Sequence, residues 1–157
     1  MAPHIGELAV YATGKKRIVE FGLRGGVSTW AMLSAMPDDG ELIGVDIDES
    51  APLPPAVRKD PRFQFVVGDS LEVDLPKWAD MVMIDSSHEF TQTVRELHRA
   101  ATLKPDVILL HDYLYRHTPQ VRLAVDGYTM KGYIVSEPYR LETVHPSDWG
   151  LAVLVPR

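Results

Sequence analysis

The chain has 157 residues, 45% of them apolar and 24% charged, which predicts one globular domain over 1–157. Its formal charge of −6, without a basic run, argues against a nucleic-acid partner. The lack of cysteine excludes disulfides, thiolate metal sites and a cysteine nucleophile. No apolar run nears the roughly 18 residues that span a bilayer, and the N-terminus has no basic-then-apolar leader. A cytoplasmic protein without a membrane partner is therefore expected.

Residues 5–12 have helical spacing, with Ile5, Leu8, Ala9 and Ala12 on one face and Gly14 as a stop. Arg17-Ile18-Val19-Glu20-Phe21 reads as a strand. The turn Gly22-Leu23-Arg24-Gly25-Gly26 follows, and Ser28 is the expected cap of a helix reaching about Met36. Residues 41–46 form a second strand ending in Asp46. Pro52, Pro54 and Pro55 keep the next connection poor in helix before Val57. Residues 63–67 are a third strand, followed by Gly68-Asp69-Ser70, and residues 80–85 are a fourth, ending in Asp85.

The next helix is predicted from the stripe Phe90, Val94, Leu97 and Ala101, with Gln92, Arg95, Glu96 and Arg99 outside it. Ser86 and Glu89 have capping-box spacing. Residues 107–110 are a fifth strand ending in His111-Asp112. Thr118-Pro119 should open a short helix through Val125, stopped at Gly127. Tyr133-Ile134-Val135 and residues 149–155 are expected to pair antiparallel at one edge. The fold class is α/β: a three-layer Rossmann-like sandwich around a mostly parallel seven-stranded sheet. Strands that end in acids put those acids at the carboxyl edge, where such sheets bind ligands.

Three cofactors compete for the glycine turn. A dinucleotide turn needs a second glycine where Arg24 stands, and a P-loop needs a lysine that does not follow Gly26. An S-adenosylmethionine site, which has no phosphates to cradle, suits the pattern better.

The ordered set Glu20-x-Gly22-x-x-x-Gly26-x-Ser28-Thr29, Asp46 and Gly68-Asp69-Ser70 resembles the cofactor motifs of class I S-adenosylmethionine-dependent methyltransferases. Ile84-Asp85-Ser86-Ser87-His88 and Leu109-Leu110-His111-Asp112-Tyr113 are similar to the metal-dependent O-methyltransferases grouped with cephalosporin hydroxylase-like, rhamnosyl and macrolide O-methyltransferases. The resemblance implies that Glu20, Gly22, Gly26, Ser28 and Thr29 surround the methionine end of the cofactor. It implies that Asp46 takes the ribose hydroxyls, that Asp69 and Ser70 take the adenine, and that Asp85 borders the same site. It further implies a divalent cation at Asp85, His111 and Asp112, magnesium first and manganese or another transition metal next, with Asp85 and His88 as the catalytic pair and His88 as base.

Two carboxylates facing a cleft suit a hard cation that keeps room for substrate oxygens. Neighbours on a strand face opposite ways, so His111 and Asp112 can meet only if the strand has ended. The other reading of His111 is a histidine packed beneath the loop. His4, His98, His117 and His145 have no comparable neighbours in sequence. The segment after Tyr113, with Tyr115, Arg116 and His117, is a candidate wall for a sugar or flat hydroxylated acceptor. Trp149 is expected to pack structurally. A homo-oligomer could complete the pocket, and a non-catalytic cofactor-binding or scaffold subunit is the alternative function.

Overall fold

The protein is described by a computed structural model covering residues 4–129 and 138–157. Five parallel strands carry the sheet: β1 (Arg17–Phe21), β2 (Glu41–Asp46), β3 (Phe63–Val67), β4 (Met81–Ile84) and β5 (Val107–His111). Two more, β6 (Tyr139–His145) and β7 (Leu151–Pro156), complete the order β3-β2-β1-β4-β5-β7-β6, with β7 antiparallel to both of its neighbours. The helices are α1 (Ile5–Ala12), α2 (Val27–Ala35), α3 (Pro55–Arg58), α4 (Phe90–Thr102) and α5 (Pro119–Thr129).

Strand periodicity sorts these elements into three layers. Val19, Phe21, Val82, Ile84, Ile108 and Leu110 face α4 and α5 through Leu97, Ala100, Val121 and Val125. Ile18, Leu42, Met81, Met83 and Leu109 face the other way, onto Leu8, Ala12, Ala31, Met32 and Val57. Both faces of the central strands are buried, which is why they read as continuous apolar runs. The strand order reverses between β1 and β4, so a crevice opens there at the carboxyl edge.

Several local expectations are corrected. Gly26, at φ 66°, caps α2, and Ser28 sits inside the first turn with its hydroxyl on Glu20. Ser86 and Glu89 form no capping box: Glu89 holds the cap position without a side-chain bond, and the Ser86 hydroxyl goes to Glu96. The buried stripe of α4 is Thr93, Glu96, Leu97 and Ala100, while Phe90 is exposed, so the helix is rotated from the predicted face. Helix α5 runs through Gly127 to Thr129, because Gly127 keeps helical backbone.

The expected strand at 133–135 lies outside the described residues. The observed partner of β7 is β6, whose apolar positions lose strict alternation at a bulge between Leu141 and Thr143.

Two features lock the crevice. Gly22, at φ 85°, lies so close to β4 that a Cβ would sit 2.3 Å from the Asp85 carbonyl oxygen. Glu20 is fully buried beneath α2 and accepts hydrogen bonds from the hydroxyls of Ser28 and, at 2.7 Å, Thr29. Burial pushes its carboxyl up to about 8, against the pull of the two hydroxyls, with Asp85 and Asp46 adding to the rise.

Gly22→Ala should cost roughly 2–4 kcal/mol through backbone strain and the clash with Asp85, read as a lowered urea midpoint. Glu20 has a folded-state pKa above its unfolded one, so its protonated form favours the fold. That stability is present at acid pH and is lost as pH rises from the ordinary carboxylate range through about 8. Glu20→Gln should remove this loss, giving melting temperatures that fall less than wild type between pH 5 and pH 8.5.

Candidate active site

A cavity of about 930 Å3 occupies the carboxyl edge, lined by Gly22, Arg24, Asp46, Asp69, Ser70, Asp85 and His88 among others. The glycine turn is shaped by Asp46, whose Oδ2 accepts the backbone N–H groups of Leu23 at 2.8 Å and Arg24 at 3.1 Å. Its Oδ1 accepts the N–H of Asp48 at 2.9 Å. Arg24 itself takes a positive φ of 45°, so the turn keeps the left-handed step that a glycine would have made easily. Gly22, Asp46, Asp69, Ser70 and Asp85 thus share the cavity. Glu20, Gly26, Ser28 and Thr29 do not line it; they lie behind the turn and hold the start of α2.

Sequence reasoning missed Glu96. It is fully buried on α4 and gathers the floor of the cavity, accepting hydrogen bonds from Ser70, from Ser86 at 2.6 and 2.7 Å, and from Gln92 at 3.3 Å. Burial raises its carboxyl, against the pull of Ser70, Ser86 and Gln92. The one signal in the sequence was Glu96 three residues after Thr93 and one before Leu97, the spacing of a buried helical face.

Beside the cavity, at the tips of β4 and β5, Asp85, His111 and Asp112 each offer a ligand atom, and these atoms lie within 4.8 Å of one another. Strand β5 ends at His111, and Asp112 turns into the left-handed region at φ 64°. That turn brings two sequence neighbours to one point: His111 Nδ1 is 2.7 Å from Asp112 Oδ1 and 3.6 Å from Asp85 Oδ1. His88 Nε2 closes the group, 2.7 Å from Asp112 Oδ2 and 3.9 Å from Asp85 Oδ1. These contacts have ion-pair distances, yet His88 Nε2, His111 Nδ1 and Asp112 Oδ1 make no properly directed hydrogen bond. Buried polar atoms that converge without bonding each other fit a cation between them.

The electrostatics follow from the same crowding. The carboxylates of Asp112 and Asp85 raise the His88 imidazole to about 9, against burial. Burial opposes the charged form of His111, but Asp112 and Asp85 outweigh it and its net shift is upward. Burial also works against the Asp112 carboxylate, but His111 and His88 hold it well below the usual range.

Beyond His111 lies an aromatic stack. Trp149 faces His111 with ring centroids 6.1 Å apart and stacks on Tyr115 at 4.2 Å. A second cavity of about 540 Å3 is lined by Leu114, Tyr115, Arg116, Ser147, Asp148 and Trp149. Trp149, expected to be structural only, is therefore part of a cavity wall. His117 is exposed and meets the Tyr115 ring edge-on at 5.2 Å. No helix among the described residues is long and apolar enough to cross a membrane.

Residues 19–113 match the family described as methyltransferase domain. No curated protein matches the sequence. Among solved structures, cofactor-bound Rv0187 from MTB superposes with a TM-score of 0.81 at 17% identity, over 100% of this chain and 81% of that one. The O-methyltransferase TomG from Streptomyces achromogenes, solved with SAM and involved in tomaymycin synthesis, gives 0.76 at 16%, over 99% and 80%. The O-methyltransferase from Bacillus cereus, in complex with SAH, gives 0.72 at 14%, over 96% and 78%. The match spans more than half the chain, including the glycine turn and both acidic strand tips, and the chain belongs to the methyltransferase domain family, on the class I S-adenosylmethionine-dependent fold.

Proposed function

We propose that the protein is an S-adenosylmethionine-dependent O-methyltransferase acting on a hydroxyl of a small molecule or sugar, with a divalent cation orienting the acceptor and His88 as base. The observation that carries this reading is the double position of Asp85. It lines the large cavity and also belongs to the cluster with His111 and Asp112. Donor and acceptor would therefore meet at one carboxylate.

When bound, the cofactor supplies a methyl group on a sulfonium, and a divalent cation supplies positive charge that eases loss of an acceptor proton. The chain's own groups do the rest. Asp46 and Asp69 offer carboxylate oxygens to ribose hydroxyls and a base amine. Asp85, His111 and Asp112 would hold the cation; two carboxylates suit magnesium, and the imidazole adds affinity for manganese or another transition metal.

The His88 ring is partly exposed although its Nε2 is buried against Asp112, so the imidazole reaches solvent through its outer edge. Without a cation its imidazolium balances Asp85 and Asp112; a cation held by Asp85, His111 and Asp112 would supply that charge and leave the His88 ring neutral and able to accept. The acceptor oxygen would then take the methyl group as the C–S bonding pair stays with sulfur, and His88 would receive the hydroxyl proton. Orientation in line is the protein's main contribution. Tyr115 and Trp149, beside Arg116 and Asp148, present a face for a flat ring or the apolar side of a sugar.

Titration calorimetry should detect binding of the demethylated cofactor and none of NAD; NAD binding in its place would overturn the reading. Chelator or Asp112→Asn should abolish methyl transfer across a panel of hydroxylated acceptors while leaving cofactor affinity within about threefold. Transfer at full rate by the chelated variant would remove the cation, and cofactor binding without transfer to any acceptor would favour the non-catalytic alternative. His88→Ala should lower turnover by about 10²–10⁴-fold at unchanged cofactor affinity. Full activity of that variant would exclude His88 as base.

A further inference from the structure

His4 holds the cap position of α1 and is only 1% exposed. Its ring meets His111 edge-on, with centroids 5.3 Å apart and planes at 77°. Both nitrogens of His4 and both of His111 are buried without a hydrogen-bond partner. Native interiors seldom leave such atoms unsatisfied, because each one costs about 1–3 kcal/mol. Four of them in two touching rings call for an explanation.

The fold gives the two nitrogens of His111 different surroundings. On β5, Val107 and Leu109 face the α1 and α2 layer, and His111 continues that alternation toward α1. Its Nδ1 faces Asp112 and Asp85. Its Nε2 is buried without a partner, and the ring of His4, at the start of α1, packs edge-on against the imidazole. A neutral imidazole has one donor and one acceptor nitrogen, so one nitrogen of His4 is able to accept a proton from His111.

We propose that His4 is a positioning residue for the cation centre: its acceptor nitrogen takes the Nε2–H of His111, which fixes the tautomer that turns the Nδ1 lone pair toward an ion shared with Asp85 and Asp112. Ligating histidines are commonly held in this way through their second nitrogen, and loss of the partner typically costs 10–100-fold in metal affinity. The inference rests on the cation reading above and adds to it a residue far away in sequence, on another element.

Manganese affinity, measured by electron paramagnetic resonance, separates the two. Wild type should bind the ion. His4→Phe, which keeps the ring volume, should bind about 10–100-fold more weakly, with melting temperature and affinity for the demethylated cofactor nearly unchanged. His4→Gln, whose amide oxygen can accept the Nε2–H, should recover most of the loss. Manganese binding by folded His4→Phe equal to wild type would overturn the role of His4 and leave the cation reading standing. A wild type that binds no manganese would overturn both. Should His4→Phe fail to fold, nitrogen NMR of magnesium-loaded wild type decides. A coupling across the hydrogen bond between His111 Nε2 and a His4 nitrogen is expected, and its absence sinks the proposal.

Discussion

Acidic side chains crowd the carboxyl edge of the sheet, and each has to be neutralised or compensated before the site can exist. Glu20, Asp46, Asp85, Glu96 and Asp112 all lie there, at strand tips or on the helix behind them. Each is handled by a different chemistry. Glu20 and Glu96 are buried and receive hydroxyl donors. Asp46 receives backbone N–H groups from the turn that it shapes. Asp112 is flanked by two imidazoles. Asp85 takes part in the imidazole contacts only at longer range, 3.6 and 3.9 Å, so it keeps acceptor capacity toward the cavity.

Much of this was legible in the sequence because parallel strands buried on both faces leave a plain mark. Val19, Ile43, Val82 and Ile108 lie in apolar runs, and the residue that ends each run, acid or histidine, falls at one edge whatever its distance along the chain. The cluster of Asp85, His88, His111 and Asp112 was visible for that reason. The condition that the strand must end between His111 and Asp112 is met by a backbone dihedral, which residue types do not reveal. Tertiary demand overrode local pattern elsewhere. Ser86 is spaced to cap a helix, but its hydroxyl is drawn to Glu96. Phe90 and Val94 outrank Thr93 and Glu96 in hydrophobicity, yet the polar pair is buried, with Glu96 under the hydroxyls of Ser70 and Ser86 and Thr93 on the carbonyls of Ser87 and Glu89. Strand β6 was illegible because its bulge breaks the period and its outer positions, Arg140 and Glu142, are charged, as suits the edge of a sheet.

The aromatic stack and the two packed histidines show a second limit of linear reading. His111 is touched by His4 from the start of the chain and by Trp149 from near its end. Neither neighbour has a motif around it. Their relation to His111 comes from the antiparallel return of β7 alongside β5 and from α1 lying across the same face, both of which are properties of topology.

The contact between Gly22 and the backbone of Asp85 has a consequence for how such a chain can diverge. It joins the turn that shapes the cavity to the strand tip that borders the cluster, so change in the turn is constrained from two directions at once. Tyr115, Arg116 and Asp148 stand outside that linkage, on loops whose side chains share no hydrogen bond with Asp46, Glu96 or the glycine turn. Under the function proposed here, acceptor preference is thus written in surface positions that can be exchanged at small cost to stability.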